Sequence, residues 1–440
     1  MKRLSKIMPL FGGLFLVLFN WVTPVFAAAS KTPFIPGNIA WVLASTALVL
    51  IMTPGLGFYY GGMVRKKNVL NTISLSFITI CTVSVIWILW GYSIAFGPDI
   101  GRVIGSLKYL GLAAMQENQH SRYDGTIPSF IYVMFQLMFA IITVALVSGS
   151  LAERIKFSSW VVFTIVWLTV VYAPVAQMVW GIGGLFQHMG ALDFAGGTVV
   201  HVNSGVAGLA GALVLGKRKG YMKENIIQPN QLGYTILGGA LLWFGWFGFN
   251  AGSALEASPL AASAFLVTNT ATAAAAISWM IAEWIHSGKP TTLGMVSGAV
   301  AGLVAITPAS GFVNPLASIV IGFVAGFICY SMVVFVKPRL GYDDALDAFG
   351  VHAAGGAWGA LATGFFADPL INPAGRGLLY GNPAQVWIQL LTIVTVAAYS
   401  FTMSYIIFKV IDKFMGLRVN KEAEAQGLDI TQHEEAGYNF

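Results

Sequence analysis

Eleven long apolar runs joined by short polar connections constrain this chain more than any other feature. They fall at 37–61, 69–96, 127–149, 158–181, 197–216, 231–253, 260–286, 292–307, 313–336, 346–366 and 384–411. A helix needs roughly 20 apolar residues to cross the hydrocarbon of a bilayer. Of the residues, 57% are hydrophobic and only 10% charged, against about 25% charged in soluble proteins. A soluble fold cannot hide that much apolar surface. The expected class is an all-α integral membrane protein with eleven transmembrane helices.

The first residues read differently. Lys2, Arg3 and Lys6 precede an apolar stretch, and Val25-Phe26-Ala27 puts small residues at the −3 and −1 positions. That pattern is a secretory signal peptide, 1–27. The membrane domain then covers 28–411, and a polar tail covers 412–440. An exported mature N-terminus followed by eleven spans places the tail in the cytoplasm. Basic residues test this orientation. Sixteen Lys and Arg fall in the connections and tail that it makes cytoplasmic, and five fall outside. Positive charge is retained on the cytoplasmic side. The net charge of +6 is therefore a topology signal and not a nucleic-acid signal. Cys81 and Cys329 lie inside apolar runs, where packing is expected and a disulfide is not.

Two stretches match each other. Asp193 lies eight residues before His201, and Gly205 and Gly208 follow at four and seven residues. Asp344, His352, Gly356 and Gly359 repeat that spacing. On a helix these positions share one face, so each His lies on a stripe that another helix can approach closely. An ionisable group within a span is a functional hypothesis by default. Spans one to five and six to ten form two sets of five. An odd number per set inverts the second, which brings His201 and His352 together near the midplane at the repeat interface. Neutral imidazole offers one donor and one acceptor, so two facing rings form a polar line through an apolar passage. Asp193 and Asp344 are expected to cap helix starts, with direct cation binding as the alternative; Asp193, on the expected outer side, could also add negative potential at an entrance. Metal binding is the competing reading of the histidines. It lacks Cys or clustered carboxylate ligands, and no metal or other cofactor is expected.

Aromatic and hydroxyl residues cluster at the expected outer ends. Trp180 ends the fourth span, Phe135 and Phe139 lie in the third, and Trp246, Phe249 and Ser253 follow one another along the sixth. A π-face beside a hydroxyl suits a small cation that donates hydrogen bonds. Phe139 and Phe249 come from opposite halves and could close an apolar gate. Phosphate loops, zinc motifs and base–nucleophile pairs with the right spacing are not visible, so no enzyme is expected.

These features together resemble the ammonium transporter family, Amt/Mep/Rh, in its bacterial Amt branch. The stretches that carry the resemblance are Phe58–Arg65, Leu151-Ala-Glu-Arg154, Met178-Val-Trp180, Gly190–His201, Trp246–Ser253 and Asp347–His352. The resemblance implies that Phe139, Trp180 and Ser253 form an external ammonium site. It implies that Phe139 and Phe249 are a stacked gate with Trp246 beside the path, and that His201 and His352 are the twin histidines of a pore. It further implies a homotrimer in the bacterial inner membrane, bounded by lipid, with one pore per subunit. The tail, with Gly416–Val419, Gly427-Leu-Asp429 and Glu435–Tyr438, resembles one on which PII-type signal proteins act. The expected activity is recruitment of ammonium, its deprotonation, and conduction of ammonia. The alternatives are an ammonium sensor signalling through its tail and an Rh-like gas channel.

Overall fold

The computed structural model describes residues 33–222 and 229–438. The expected signal peptide lies outside the described residues, as does Lys223. Among the described residues, nine helices are long and apolar enough to cross a bilayer. In chain order the helices are α1 (Pro36–Met63), α2 (Lys66–Phe96), α3 (Ser129–Leu151), α4 (Phe157–His188), α5 (Gly197–Leu215), α6 (Leu232–Gly252) and α7 (Pro259–Ser287). There follow α8 (Thr292–Ile306), α9 (Pro315–Leu340), α10 (Phe349–Ala353 running into Ala354–Phe366) and α11 (Ala384–Met415). Two short tail helices, α12 (Lys421–Gln426) and α13 (Leu428–His433), close the chain. A two-stranded hairpin, β1 (Asp99–Ile100) with β2 (Ile104–Gly105), lies in the long connection between α2 and α3.

The eighth run ends within one residue of its expected bound, and the register at the histidines departs from expectation. The eighth run forms a helix of only 15 residues, about 22 Å at 1.5 Å per residue. The chain turns at Thr307 because Pro308 cannot continue the α8 hydrogen-bond ladder. The histidines were expected in an even α-helical register. Both instead sit in π-helical turns, Gly197–Val202 and Phe349–Ala353. Such one-turn bulges concentrate at functional sites.

Small residues bring the helices together. A Cβ on Gly298 would lie 2.9 Å from Ala275 O, and one on Gly302 would lie 2.7 Å from Ala271 O. Glycine is therefore required where α8 crosses α7. The glycines after the histidines serve the same end across the two halves. A Cβ on Gly205 would strike Ala353, the residue after His352. One on Gly356 would lie 2.8 Å from the His201 Cβ. The next glycines match as well, Gly208 against Ser150 at the end of α3 and Gly359 against Ala305 at the end of α8.

Candidate functional site: a buried aromatic and histidine path

The path starts from two buried carboxylates. Asp193 Oδ1 accepts from the N–H groups of Gly196 (2.8 Å) and Gly197 (2.6 Å). Its Oδ2 accepts from Thr198 (2.9 Å) and Val199 (3.1 Å). These are the donors that a helix start leaves without partners, so Asp193 holds the π turn that carries His201. Gly196 has φ +114°, open to glycine but strained for other residues. Burial pushes the Asp193 carboxyl up, and the four N–H donors pull it back. Asp344 does the same work before His352, accepting from Ala348 at 3.2 Å and Phe349 at 2.8 Å. Both carboxylates are buried, and neither presents a charge to solvent.

The aspartate loop also aims Trp180. Its Nε1 donates to the Asp193 carbonyl at 2.8 Å. Trp180 stands edge-on to Phe139 with centroids 5.8 Å apart. Phe139 stacks on Phe249 at 4.2 Å and touches Phe135 at 5.0 Å. Above this stack lies a cavity of about 190 Å³, to which Phe135, Phe139, Trp180 and Ser253 all contribute. Ser253 Oγ donates to the Phe249 carbonyl at 2.8 Å. Its lone pairs remain able to accept from a ligand, which is the role a hydroxyl plays toward an N–H cation.

Below the stack the line continues without a break. The Phe249 ring is 6.2 Å from His201, and Trp246 lies 5.4 Å from both Phe249 and His201. His201 faces His352 with ring centroids 5.3 Å apart and Nδ1 atoms 3.3 Å apart. Both histidines are buried, and His201 Nε2 has no hydrogen-bond partner among the described residues. Each ring uses its Nδ1 in the mutual contact, and the pair lies among buried apolar and aromatic side chains.

All the sequence-derived residues thus lie on one path, with Asp193 and Asp344 as its supports. The sequence reading missed several neighbours. Tyr123, Tyr132, Gln136, Phe194 and Leu255 also line this cavity. Tyr123 comes from the long connection after α2 and stacks on Tyr132 at 4.6 Å. No periodicity marks a loop tyrosine, so only the fold could find it. Thr307 was missed too. It accepts the Trp246 Nε1 hydrogen at 2.8 Å and donates to Leu303 O at 2.7 Å, fixing the indole against His201.

At the other end of the path four charges are buried together. Arg218 bonds Glu153 at 2.9 Å and Asp343 at 2.8 Å. Arg154 bonds the carbonyls of Ser150 and Asp343. Burial alone would raise the Glu153 carboxyl. The charge of Arg218 and the bond and charge of Arg65 more than offset that, and hold it at about 2. The cluster joins the end of α3 to the segment that enters α10, with Asp343 next to the Asp344 cap.

The long apolar helices and their packing define a multi-pass membrane protein with a contiguous line of buried aromatic and imidazole rings. The sequence profile of the Ammonium Transporter Family matches residues 40–438, and the chain belongs to that family. It is 52% identical over 407 residues to a putative ammonium transporter of Methanothermobacter thermautotrophicus, covering 92% of this chain and 98% of that relative. It is 49% identical over 403 residues to the ammonium transporter of Bacillus subtilis, covering 91% and 98%. The fold superposes on the crystal structure of Saccharomyces cerevisiae Mep2 with a TM-score of 0.83 at 34% identity, covering 89% of each chain. A structure described as a sensor Amt protein gives 0.83 at 27% identity, covering 90% of this chain and 98% of the other.

Proposed function

We propose that this protein transports ammonium across the bacterial inner membrane by conducting ammonia past the two histidines. The observation that carries the reading is the unbroken line from the outer cavity through the Phe139–Phe249 stack to His201 and His352. Phe139, Trp180 and Ser253 form the recruiting site, with the indole face and the serine lone pairs taking the cation. Ammonium, like a lysine amine, is almost fully protonated at neutral pH. Moving a bare cation into an apolar passage costs many kcal/mol, and two neutral imidazoles do not offset it. Deprotonation therefore precedes passage.

The architecture that goes with this reading has eleven spans, α8 and α10 included, in two inverted sets of five plus one. The cross-packed glycines support it, because each half repeats the other's contacts. The matched hydrogen bonds support it too, Phe194 N to Pro308 O beside α8 and Leu346 N to Gly149 O beside α3. Cleavage of a signal peptide, 1–27, leaves the mature N-terminus outside and the tail, 412–440, in the cytoplasm. The membrane domain is 28–411, and three copies assemble in lipid with one pore each.

The tail is laid against the cytoplasmic connections. Lys156 N donates to Leu417 O and Val419 N to Arg154 O, both at 3.0 Å. Arg418 holds Glu424 at 2.7 Å and the Leu215 carbonyl at 2.7 Å. A PII-type protein that lifts the tail would therefore act on the segment that carries Arg218. The sensor reading is less favoured, because the relatives near 50% identity are described as transporters and the sensor neighbour stands at 27%. The test is an ammonium step on proteoliposomes holding the full chain, read as interior alkalinisation and as current. No ammonium-dependent flux from correctly assembled protein would remove the transport reading.

A further inference from the structure

The cavity above the Phe139–Phe249 stack is larger than an ammonium ion needs. It measures about 190 Å³, and a water molecule, close to ammonium in size, takes about 30 Å³ in the liquid. Six of its nine lining residues carry rings: Tyr123, Tyr132, Phe135, Phe139, Trp180 and Phe194. The other three are Gln136, Ser253 and Leu255, and none of the nine is charged. The attraction this lining offers a cation therefore comes from ring faces. Only two side chains add an acceptor that is not on a ring, the Ser253 hydroxyl and the Gln136 carbonyl. Gln136 Oε1 is buried without a hydrogen-bond partner among the described residues.

The walls of this cavity are held in place. Tyr132, Phe135 and Phe139 follow at steps of three and four residues on one face of α3. Tyr123 comes from the connection before α3, and its ring lies 4.6 Å from Tyr132 and 5° from parallel. Phe96 stands edge-on to both, at 5.4 Å and 5.5 Å. Tyr123 Oη accepts from the Ile182 N–H at 3.3 Å, which ties the ring to the segment just after Trp180. The connection is fastened in turn. Asp124 accepts from Thr126 N at 2.7 Å, and Thr126 O accepts from Ile35 N at 3.0 Å. Tyr123, Trp180 and Phe194 are half-buried, so the cavity has an open side, while Phe139 and Phe249 beneath it are buried. The centroids of those two rings are 4.2 Å apart, which is van der Waals contact and leaves no gap for a methyl group.

We propose that this cavity is an aromatic cage for quaternary ammonium ions of the tetramethylammonium class, which bind from outside and do not pass, and that Tyr123 supplies its outer wall. A quaternary ion has no N–H to give Ser253 or Gln136 and needs none, because a ring face attracts the charge itself. Its methyl groups fill the volume that ammonium leaves to water. It has no proton to lose, so it cannot follow a route in which deprotonation precedes passage. Such ions therefore compete with ammonium and block its entry. The inference rests on the recruiting role of this cavity.

The test is ammonium-driven current in proteoliposomes holding the full chain, with tetramethylammonium added outside. Half-saturation for ammonium should rise while the maximal current stays, and tetramethylammonium alone should carry no current. tert-Butanol, close in shape but uncharged, should not compete. No competition even in large excess, current carried by tetramethylammonium, or equal competition by tert-butanol overturns the proposal. Tyr123→Leu should weaken the block by about fivefold, the scale of one cation–π contact. Tyr123→Phe keeps the ring and loses only the bond from Ile182, so it should retain the block. Weakening by both variants, or by neither, overturns the assignment of the Tyr123 ring. Retention of radiolabelled tetramethylammonium by the purified protein separates the two readings. Retention that ammonium displaces, without any ammonium current, would refute the transport reading alone, while ammonium current without such retention refutes the cage alone.

Discussion

His352 Nδ1 stands 3.3 Å from His201 Nδ1, with the two rings 17° from parallel. The same atom on both rings meets across the contact. One nitrogen must carry the hydrogen and the other must accept it, so the two rings hold opposite tautomers. A proton placed on both Nδ1 atoms would break the contact. The pair therefore behaves as one unit with a single shared hydrogen.

That coupling makes the first prediction. His352→Leu removes the partner of His201 and should lower ammonium-driven current by about tenfold or more, the scale of one lost buried hydrogen bond. The double replacement His201→Leu, His352→Leu should cost less than the sum of the two single changes, as expected for residues in contact. His201→Asp should keep some flux and admit potassium, because a carboxylate can hold a cation. Current and potassium permeability in proteoliposomes check this. Full flux and selectivity in the folded double variant would reduce the pair to packing.

The outer cavity makes the second. Trp180→Leu with Ser253→Ala removes the π-face and the free hydroxyl lone pairs but leaves the histidines untouched. Half-saturation for methylammonium uptake should rise by roughly thirtyfold, consistent with a cation–π contact of about 1 kcal/mol and one hydrogen bond of similar size. Uptake at saturating substrate should change little. An unshifted concentration dependence would show that recruitment occurs elsewhere.

The third concerns Asp193. Four N–H groups depend on its two oxygens. Asp193→Asn keeps the shape but replaces one acceptor oxygen with an NH₂ donor facing two N–H groups. The expected cost is about 2–3 kcal/mol from unpaired buried donors. The melting temperature of the purified protein should fall, and Trp180 emission should change as its carbonyl partner shifts. Intact stability would show that the four N–H bonds to the carboxylate do not hold this turn.

The fourth follows from Glu153. Its folded value of about 2 lies below the ordinary Glu value of about 4.3. A depressed carboxyl contributes stability that is present above the ordinary value and is lost as pH falls through the folded one. The window is therefore roughly pH 4 to pH 2, and the contribution is roughly 3 kcal/mol. Arg218→Met removes the principal offset to burial. It should destabilise the fold at neutral pH by about 3–5 kcal/mol, the cost of stranding a buried charge. The acid loss should also be smaller, because removing Arg218 raises the folded value of Glu153 and narrows the pH window. Thermal unfolding of the wild type and variant across pH 3–8 checks both statements.

Much of the fold was legible because the bilayer restricts it. Run length reported the long helices, and alternation of basic connections carried an orientation. The short eighth helix was legible to within one residue, because the run 292–307 ends where Pro308 stops the hydrogen bonds. The two π turns were not legible at all. Asp193 gathers four N–H groups at the first and Asp344 two at the second, and a spacing of eight residues does not reveal which donors a carboxylate will collect.

For this protein, sequence alone determined the embedding, the paired aspartate–histidine blocks and the chemical types along the path. Apolar length and the spacing of charges are local properties that need no partner to be read. Tertiary structure alone decided that Thr307 orients Trp246, that Tyr123 reaches the outer cavity, and that Arg218 joins Glu153 to Asp343. Each of these contacts links residues more than 50 positions apart or a loop to a helix. Their formation depends on how close-packed helices bring distant backbone together, which no local pattern in the chain encodes.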